Sequence, residues 1–282
     1  MTRHRLTITL KEEVLRRVDG SIDGSRIRNR SHAIEYLLSK TLIPKVSQAI
    51  ILAGGQGVRL RPLTYEIPKA LIPVRGRPLV EYTIDLLKEA GIHDIIFAIG
   101  HLGNKIREQI GDGTRLGVKV TYSEEKRLLG TARAIQNAKH LLKDKPFMVI
   151  NGDVLAKINL VDLIEFHDQS KSLGTIAVSS VRNTEGFGIV FLRGGKIVKF
   201  LNQTLPEEFS TQLINAGFYI FNPQIFAHIP TKGVVHLHEL FPALAEKGEL
   251  AGFMFEGLWF DISTPKNYEQ ALSFVKKIKI KR

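Results

Sequence analysis

Cysteine is absent from the 282 residues of the chain, methionine occurs three times and tryptophan once. The absence of cysteine excludes disulfides, thiolate metal sites and cysteine nucleophiles, so any metal must be held by oxygen or imidazole ligands. Apolar runs of about 18 residues or more are also absent, and the first residues, MTRHRL, lack the apolar segment of a secretory signal. These absences predict a cytoplasmic protein that does not enter a membrane.

Acidic residues are the scarcer charged class. The chain has 28 Asp and Glu against 40 Lys and Arg, which gives a formal net charge of +12. This excess favours polyanionic partners such as nucleic acid, nucleotides or sugar phosphates. With 44% hydrophobic residues, the chain can form one sizeable core and a small appended module. Pro44 marks the predicted boundary, which gives one domain at 1–45 and a larger one at 46–282.

Apolar strands, glycine loops and helices alternate from Ser47 onward. The stretch QAIILAGG (48–55) predicts a buried strand that enters a loop, PLVEYTIDLLKEAG (78–91) predicts a helix, and DIIFAIG (94–100) predicts the next strand. The alternation continues to FMVINGD (147–153), after which the chain becomes rich in strands. This order predicts an α/β fold with a doubly wound, mixed and mainly parallel sheet.

A glycine-rich stretch, GGQGVRLRP (54–62), follows the first of these strands. Glycines beyond the carboxyl end of a strand let backbone N–H groups approach phosphate oxygens closely. The stretch is not a Rossmann fingerprint, because Leu60 stands where the third glycine would be, and no Gly-Lys-Ser/Thr of a Walker loop follows. Taken alone, an ordinary tight turn explains it equally well. The nearby Arg59, Arg61 and Lys69 favour phosphate binding.

Residues 52–74, LAGGQGVRLRPLTYEIPKALIPV, resemble the signature of the sugar-1-phosphate nucleotidyltransferases, also called NDP-sugar pyrophosphorylases. The resemblance continues through SEEKRLLGTARAI (123–135), INGDVL (150–155), GFGIV (186–190), INAGFYIF (214–221) and WFDISTPKNY (259–268). It implies a nucleotidyltransferase fold, which is GT-A-like and Rossmann-like. It also implies an enzyme that joins a sugar 1-phosphate to a nucleoside triphosphate and releases pyrophosphate.

The resemblance implies a role for each matching residue. The implied catalytic residues are Arg59 on the departing pyrophosphate, Lys69 between the α-phosphate and the sugar phosphate, and the carboxylates Asp153 and Asp261. These two carboxylates would hold Mg²⁺, a hard cation that binds carboxylate and phosphate oxygens. The implied nucleotide-binding residues are Leu52, Ala53, Gly54, Gly55, Gly57, Gly130 and, near the base, Glu124 or Glu125. The implied sugar-binding residues are Gly188 and Asn215.

One departure from the family pattern keeps a second function open. Asn202-Gln203 follows the strand KIVKF, where the family usually carries Glu-Lys, and this removes a cation expected at the sugar phosphate. The alternative is a transcriptional regulator whose transferase-like domain senses a nucleotide or sugar phosphate with weak catalysis. The LGTA motif at 129–132 favours the mannose-1-phosphate guanylyltransferases, while glucose 1-phosphate with UTP or TTP remains open.

The first residues predict a separate small module. Residues 5–10, RLTITL, alternate polar and apolar side chains, which is typical of a half-buried strand. Two helices are predicted to follow, with Ser31 as the N-cap of the second. A module of about 45 residues in this order cannot bury a core alone, so a homodimer or a higher homo-oligomer is expected.

Residues 3–43 resemble the ribbon-helix-helix family of DNA-binding proteins, in which two chains pair their strands into a ribbon that enters the major groove. The resemblance implies a DNA operator as a partner. The implied DNA contacts are Arg3, Arg5, Thr7 and Thr9 in the groove, with Arg30 and Ser31 near a phosphate. A module that only dimerises an enzyme is the alternative, but dimerisation needs the inward apolar residues and has no need of basic outward ones.

Overall fold

The computed structural model describes residues 6–25, 27–42, 45–181, 183–202 and 213–275. The chain divides into two compact units, residues 1–44 and residues 45–282. Among the residues singled out in the sequence, Arg3, Arg5, Pro44 and Gln203 lie outside the described residues.

The described part of the smaller unit contains two helices, α1 (Glu12–Asp19) and α2 (Arg30–Leu42). Val18, Ile27 and Ala33 are buried between them and form a small core. Helix α2 starts before Ser31, so the prediction that Ser31 is its N-cap is wrong. The cap is Asn29, whose Oδ1 accepts a hydrogen bond from the backbone N–H of His32 at 2.9 Å.

Residues 6–10 form no strand in the single chain, although the sequence pattern predicts one. Leu6 is 82% exposed and Ile8 is 53% exposed, so the apolar side of this segment has no cover from its own unit. A strand exists only where its backbone N–H and C=O groups pair with a neighbour. A single copy of the described chain does not supply that neighbour.

The larger unit alternates strands and helices. Its described strands are β1 (Gln48–Ala53), β2 (Pro73–Val74), β3 (Arg77–Pro78), β4 (Asp94–Ile99), β5 (Lys119–Glu124), β6 (Phe147–Asn151), β7 (Val154–Ala156), β8 (Gly174–Ser180), β9 (Ile189–Arg193), β10 (Lys196–Leu201), β11 (Leu213–Phe221), β12 (Leu250–Met254) and β13 (Trp259–Asp261). Its described helices are α3 (Leu63–Glu66), α4 (Leu79–Glu89), α5 (Gly103–Ile110), α6 (Thr131–Asn137), α7 (Leu160–Ser170), α8 (Leu237–Glu246) and α9 (Pro265–Val275). Short 3₁₀ turns lie at Val58–Leu60, Lys69–Leu71, Thr114–Leu116, Ala138–Leu141 and Pro223–His228.

Nine of the described strands form one mixed sheet in the order β5-β4-β1-β6-β11-β8-β12-β10-β9. The strands β5, β4, β1 and β6 are parallel, as predicted. The second half is less parallel than the sequence suggested, because β11 runs antiparallel to both β6 and β8, and β10 runs antiparallel to β12 and β9. The two-glycine turn Gly194-Gly195 joins β9 and β10 as a hairpin, which dictates antiparallel pairing.

The sheet has an apolar cluster on each face. Consecutive residues of β1 show why: Ile51 packs with Phe97 and Leu87 on one face, whereas Ile50 packs with Phe221 and Phe241 on the other. Since side chains alternate along a strand, a strand buried on both faces needs an unbroken apolar run. Each fully buried side chain of this size contributes about 1.5–3 kcal/mol to folding. The sheet therefore forms a rigid base for the loops at the carboxyl ends of β1, β4 and β6.

Candidate active site

The glycine loop follows β1 and packs tightly against its neighbours. Gly57 has a φ of +62°, and a Cβ at this position would lie 2.7 Å from Thr64 Cγ2 and 2.8 Å from Lys69 Cγ. Thr64 Oγ1 donates a hydrogen bond of 2.7 Å to the Gly57 carbonyl oxygen. The backbone conformation and the close approach of Lys69 therefore both require glycine here. The loop holds Lys69 at the carboxyl end of the parallel strands.

The pairing of two short strands brings the two predicted aspartates together. Asp153 lies in the turn between β6 and β7, and Asp261 ends β13 opposite Val154 of β7. The backbone N–H of Ile262 donates to the Asp153 carbonyl oxygen at 2.8 Å. Although 108 positions separate them in the sequence, the two carboxylates are neighbours in the fold.

The environment of Asp261 is suited to a cation. Burial raises the pKa of the Asp261 carboxyl above its usual value, and the negative charge of Asp153 raises it further. Its Oδ1 is buried and has no hydrogen-bond partner within the described part of the chain. Two close carboxylates with an unpaired oxygen need positive charge, and the nearby Arg59 and Lys69 supply part of it.

Lys69 forms an ion pair with Asp153, in which Nζ donates to Oδ2. Both side chains are largely buried, with 16% of Lys69 and 23% of Asp153 exposed. Arg59 is exposed and lies near the same carboxylates, where its charge favours the ionised form of Asp261. The four predicted catalytic residues, Arg59, Lys69, Asp153 and Asp261, are thus brought together at one edge of the sheet.

The two aspartates fit a metal that completes its coordination with substrate and water. Among the described residues there is no group of three or more His, Cys, Asp or Glu side chains arranged to enclose a metal ion. A site of two carboxylates suits Mg²⁺, which keeps several waters and binds through one or two carboxylates together with substrate phosphates. The unpaired Oδ1 of Asp261 is consistent with that donor set.

A cavity of about 270 Å³ lies beside this cluster. It is called the nucleotide-side cavity, after the residues that the sequence resemblance assigns to nucleotide binding. Its lining includes the predicted residues Leu52, Ala53, Gly54, Gly55, Gly57, Lys69, Gly130 and Asp153. The further lining residues that bear on the argument are Glu125, Thr131, Asn151 and His236. The glycine loop and the two charged groups therefore face a single space.

Glu124 does not face this cavity. Its carboxylate is exposed and forms an ion pair of 3.2 Å with Arg107 on α5. Because Glu124 ends β5 and side chains alternate along a strand, the following residue, Glu125, points the other way and lines the cavity. Of the two glutamates considered for a place near the base, Glu125 lines this cavity and Glu124 does not, so the structure favours Glu125 for that role.

Glu125 carries an unsatisfied acceptor. Burial raises the pKa of its carboxyl, although a hydrogen bond from the backbone of Leu129 and the charge of Arg133 act in the opposite direction. Its Oε1 is buried and has no hydrogen-bond partner among the described residues. A ligand with N–H groups would supply what this oxygen lacks.

A second cavity of about 520 Å³ adjoins the first. It is called the sugar-side cavity, after the residues that the sequence resemblance assigns to sugar binding. Both cavities are lined by Thr131, Asn151 and His236. The sugar-side cavity is also lined by Gly188, Asn202, Asn215, Tyr219, His238, Trp259 and Asp261. Gly188 and Asn215 therefore lie together, as the resemblance implies. The two histidines carry no signal in the sequence, because their spacing matches no metal or catalytic motif.

The predicted sugar-binding residues are fixed by their own contacts. The side chain of Asn215 accepts a hydrogen bond from the Gly217 backbone N–H at 3.0 Å and donates one to Tyr219 Oη at 2.9 Å. At Gly188 a Cβ would overlap the ring of Phe200, so glycine is needed for packing as well as for approach of a ligand. Asn202 donates from Nδ2 to the His238 carbonyl oxygen at 3.0 Å.

The predicted DNA contacts in the smaller unit are only partly free. Thr7, Thr9 and Ser31 are exposed. Arg30 forms a two-pronged ion pair with Asp19, with Nε–Oδ1 and Nη2–Oδ2 distances of 2.6 and 2.8 Å. A phosphate contact by Arg30 would therefore have to compete with this carboxylate.

The helices of the described chain include none that is both long enough and apolar enough to cross a membrane.

Comparison with known proteins gives a consistent result. Residues 48–278 match the nucleotidyl transferase family. The mannose-1-phosphate guanylyltransferase catalytic subunit beta of Danio rerio is 37% identical over 226 residues, which is 78% of this chain and 62% of that protein. The protein of the same description from Dictyostelium discoideum is 34% identical over 225 residues, with the same coverage of 78% and 62%. The chain thus matches less than two thirds of the length of these relatives.

Solved structures show the same fold. A Bacillus anthracis protein described as a glucose-1-phosphate thymidylyltransferase, in complex with a sucrose, superposes with a TM-score of 0.75 at 25% identity and covers 83% of this chain and 97% of its own. A UDP-glucose pyrophosphorylase complexed with UDP-glucose superposes with a TM-score of 0.71 at 20% identity, covering 83% of this chain and all of its own. The second similarity concerns the fold alone.

Proposed function

The chain belongs to the nucleotidyl transferase family, and on that premise we propose that it joins a sugar 1-phosphate to a nucleoside triphosphate, with mannose 1-phosphate and GTP as the substrates. The observation that carries this proposal is the convergence of the glycine loop, Lys69 and the Asp153–Asp261 pair beside two adjoining cavities. One cavity would take the nucleotide and the other would take the sugar. The charged cluster lies where their phosphates would meet.

The reaction is an in-line displacement. A phosphate oxygen of the sugar 1-phosphate attacks the α-phosphorus of the triphosphate, one new P–O bond forms, the bond to the β-phosphate oxygen breaks, and pyrophosphate leaves with the electron pair. No covalent intermediate with the protein is needed, so catalysis rests on positioning and on charge neutralisation.

The residues of the chain supply both of these. Backbone N–H groups of the glycine loop would bind the triphosphate, Lys69 would draw the two reacting phosphates together, and Arg59 would neutralise the departing pyrophosphate. Asp153 and Asp261 would hold Mg²⁺. When bound, this ion supplies further positive charge to the phosphate oxygens.

Glu125 supports a guanine nucleotide. The Watson–Crick edge of guanine presents two adjacent donors, N1–H and N2–H₂, which match the two oxygens of one carboxylate. Uracil and thymine present a single N–H between two carbonyl oxygens, and these oxygens would face the carboxylate unfavourably. The unpaired Oε1 of Glu125 is an acceptor of the required kind, and two donors would also favour its ionised form.

Pyrophosphate release tests this proposal. The purified chain is assayed with mannose 1-phosphate or glucose 1-phosphate against GTP, UTP, dTTP and ATP, with and without Mg²⁺. We expect the highest kcat/KM for mannose 1-phosphate with GTP, strict dependence on a divalent cation, and loss of activity in Asp153→Asn. The substitution Glu125→Gln should reduce the preference for GTP over UTP by about tenfold or more, as expected for one charged hydrogen bond. Absence of pyrophosphate release with every pair contradicts the proposal and favours the ligand sensor.

For the smaller unit we propose operator binding as a dimer. The support is the exposed alternation of Leu6 and Ile8 with Thr7 and Thr9, which is suited to pairing with a second copy while polar side chains face outward. A paired ribbon would present alternate side chains to the major groove. The Arg30–Asp19 ion pair makes Arg30 the weakest of the proposed DNA contacts.

Fluorescence anisotropy with DNA from upstream of the coding region tests operator binding. We expect binding to weaken by roughly 10³–10⁵ between 50 and 200 mM salt if six to ten phosphates are contacted, and to be lost in Arg5→Ala. Deletion of residues 1–44 should abolish DNA binding and leave pyrophosphate release intact. Dimerisation through this unit without any DNA binding at low salt contradicts the operator proposal and favours a module that only dimerises the enzyme.

A further inference from the structure

Two histidines form part of the wall of the sugar-side cavity. His236 immediately precedes α8 and His238 lies in its first turn. Both line the cavity, and His236 also lines the nucleotide-side cavity. Their rings are stacked, with centroids 5.3 Å apart and planes inclined by 15°. One imidazole therefore lies at the junction of the two cavities, and the second lies against it on the sugar side.

The segment that carries the histidines is anchored to residues 129–132, where α6 begins. The backbone N–H of Leu237 donates to Thr131 Oγ1 at 2.8 Å, and that of Val235 donates to the Leu129 carbonyl oxygen at 2.8 Å. The carbonyl oxygen of Val235 in turn accepts from the Ala132 N–H at 3.1 Å. These bonds hold the backbone on both sides of His236, so the position of its ring is set by the fold.

The polar groups around the histidines are mostly engaged elsewhere. Asn215 is bonded to Gly217 and Tyr219, and the amide nitrogen of Asn202 donates to the His238 carbonyl. Asp261 faces Asp153. Within the described part of the chain, the ring nitrogens of His236 and His238 have no hydrogen-bond partner. They are therefore among the side-chain donors and acceptors that this wall leaves available to a ligand.

The protonation state of the His238 ring favours an uncharged ligand group. Partial burial and the neighbouring His236 lower the pKa of His238, against the opposing charge of Glu239. The position at the N-terminus of α8 also disfavours a positive charge. A neutral imidazole has one N–H donor and one acceptor nitrogen, and a hydroxyl group likewise donates and accepts. Sugar hydroxyls match this pair better than a phosphate does.

We propose that His236 and His238 hydrogen-bond hydroxyl groups of the sugar and thereby determine which hexose the site accepts. The inference rests on the proposed function, because it assigns a sugar to this cavity. His238 would contact the sugar alone. His236, at the junction, would contact the sugar where it approaches the nucleotide and would be held in its orientation by the ring of His238.

Binding of nucleotide sugars tests the assignment without requiring turnover. Dissociation constants of GDP-mannose, GDP-glucose and GDP-galactose are measured by isothermal titration calorimetry for the full chain. These three hexoses differ in the orientation of hydroxyl groups at C2 and C4. His236→Phe and His238→Phe keep an aromatic ring for stacking and remove the polar atoms, whereas His236→Gln keeps a donor and an acceptor.

We expect each Phe variant to bind the preferred sugar about three- to tenfold more weakly, the cost of a lost neutral hydrogen bond. The ratios among the three sugars should fall towards one, and His236→Gln should restore part of the discrimination. Val234→Ala is the matched control, because Val234 lies on the same segment, is exposed and lines neither cavity. Unchanged affinity for GDP in His238→Phe, whose position lines the sugar-side cavity and not the nucleotide-side cavity, shows that the nucleotide site is intact. An unchanged melting temperature shows that the fold of the His236 variants is intact.

Two outcomes overturn the assignment: unchanged dissociation constants in both Phe variants, or an equal loss for all three sugars, which would indicate a contact that does not distinguish hexoses. Failure of the proposed function has a different signature. If the wild-type chain binds the nucleotide sugars with the expected response to substitution but releases no pyrophosphate, the transferase proposal fails and the assignment of the histidines stands.

Discussion

The ammonium group of Lys69 is paired with the carboxylate of Asp153, and Asp153 is in turn the close neighbour of Asp261. One cation and two carboxylates therefore share a largely buried space with a net negative charge. Loss of positive charge from such a cluster is destabilising, because an unpaired buried charge is costly. Changes at Lys69 or Asp261 should therefore alter the stability of the metal-free protein.

Replacement of Lys69 by Met should lower kcat/KM by about a hundredfold or more, since a charge aimed at the reacting phosphates is removed. The same change leaves Asp153 and Asp261 without their nearest cation. We therefore expect a lower melting temperature in EDTA and a larger rise on addition of Mg²⁺ than in the wild type. Lys69→Arg keeps the charge and should retain most of the stability. An unchanged response to Mg²⁺ in Lys69→Met would contradict the shared balance of charge.

Replacement of Asp261 by Asn should stabilise the metal-free protein while it removes activity. The pKa of the Asp261 carboxyl is raised by burial and by Asp153, so the folded state is penalised when this group is ionised. For a raised carboxyl pKa the penalty develops as the pH rises from the unfolded value through the folded one. Urea unfolding in EDTA should show a gain of about 1 kcal/mol. A loss of stability at neutral pH would contradict this account.

Gly130→Ala should destabilise the protein more than the same change at Gly233. Both glycines have positive φ, +87° and +83°, but a Cβ at Gly130 would overlap the Val235 carbonyl, whereas nothing lies within 4 Å at Gly233. The Gly233 variant should lower the free energy of unfolding by about 1 kcal/mol, because of the left-handed backbone alone. The Gly130 variant should lower it by at least about 1 kcal/mol more and should also weaken GTP binding. Equal costs in urea unfolding would mean that Val235 moves away freely.

His167 should make stability depend on pH. His167 is buried, and its Nδ1 lies 2.8 Å from Thr175 Oγ1. Burial lowers its pKa and outweighs a hydrogen bond with Asn222 and the charge of Asp168. The unfolded chain therefore takes up a proton first, near pH 6.5, and the free energy of unfolding should fall as the pH drops below that value, by up to about 1.4 kcal/mol per pH unit. The fall should end once the pH is below the folded pKa.

The control for this effect is His167→Gln, which keeps a polar group but does not titrate in this range. Its free energy of unfolding should vary less than that of the wild type between pH 7.5 and pH 5. Parallel pH profiles of the two proteins would show that another group causes the dependence.

Much of the larger unit could be predicted from its sequence, because its strands are buried on both faces and the residues that end its strands and helices lie next to them in the sequence. The run at Gln48–Ala53 and the glycines after it form the predicted strand and loop. The antiparallel half of the sheet was harder to predict, since the direction of β11 is set by pairing with β6 and β8. Periodicity within a strand carries no information about its direction.

The site shows where residue-by-residue inference reaches its limit. Glu124 and Glu125 are adjacent, and only the register of β5 decides which carboxylate faces the cavity. A shift by one residue exchanges the two faces of a strand. Similarly, Ser31 and Asn29 are both good helix caps, and the choice depends on where the backbone of α2 turns. His236 and His238 reach the cavity wall because the start of α8 is hydrogen-bonded to Thr131 at the start of α6.

Strand β11 bears on how the preference for a sugar could change. Its register breaks between Asn215 and Tyr219, where Gly217 adopts a φ of +79° against the side chain of Asn151. The carbonyl oxygen of Ala216 is thereby free to accept a hydrogen bond of 2.9 Å from Trp259 Nε1. A substitution in this bulge would disturb the central sheet and the wall of the sugar-side cavity at once. Changes in the hexose that the protein prefers are therefore expected to arise from substitutions in the segment before α8, where side chains can be exchanged while the sheet stays intact.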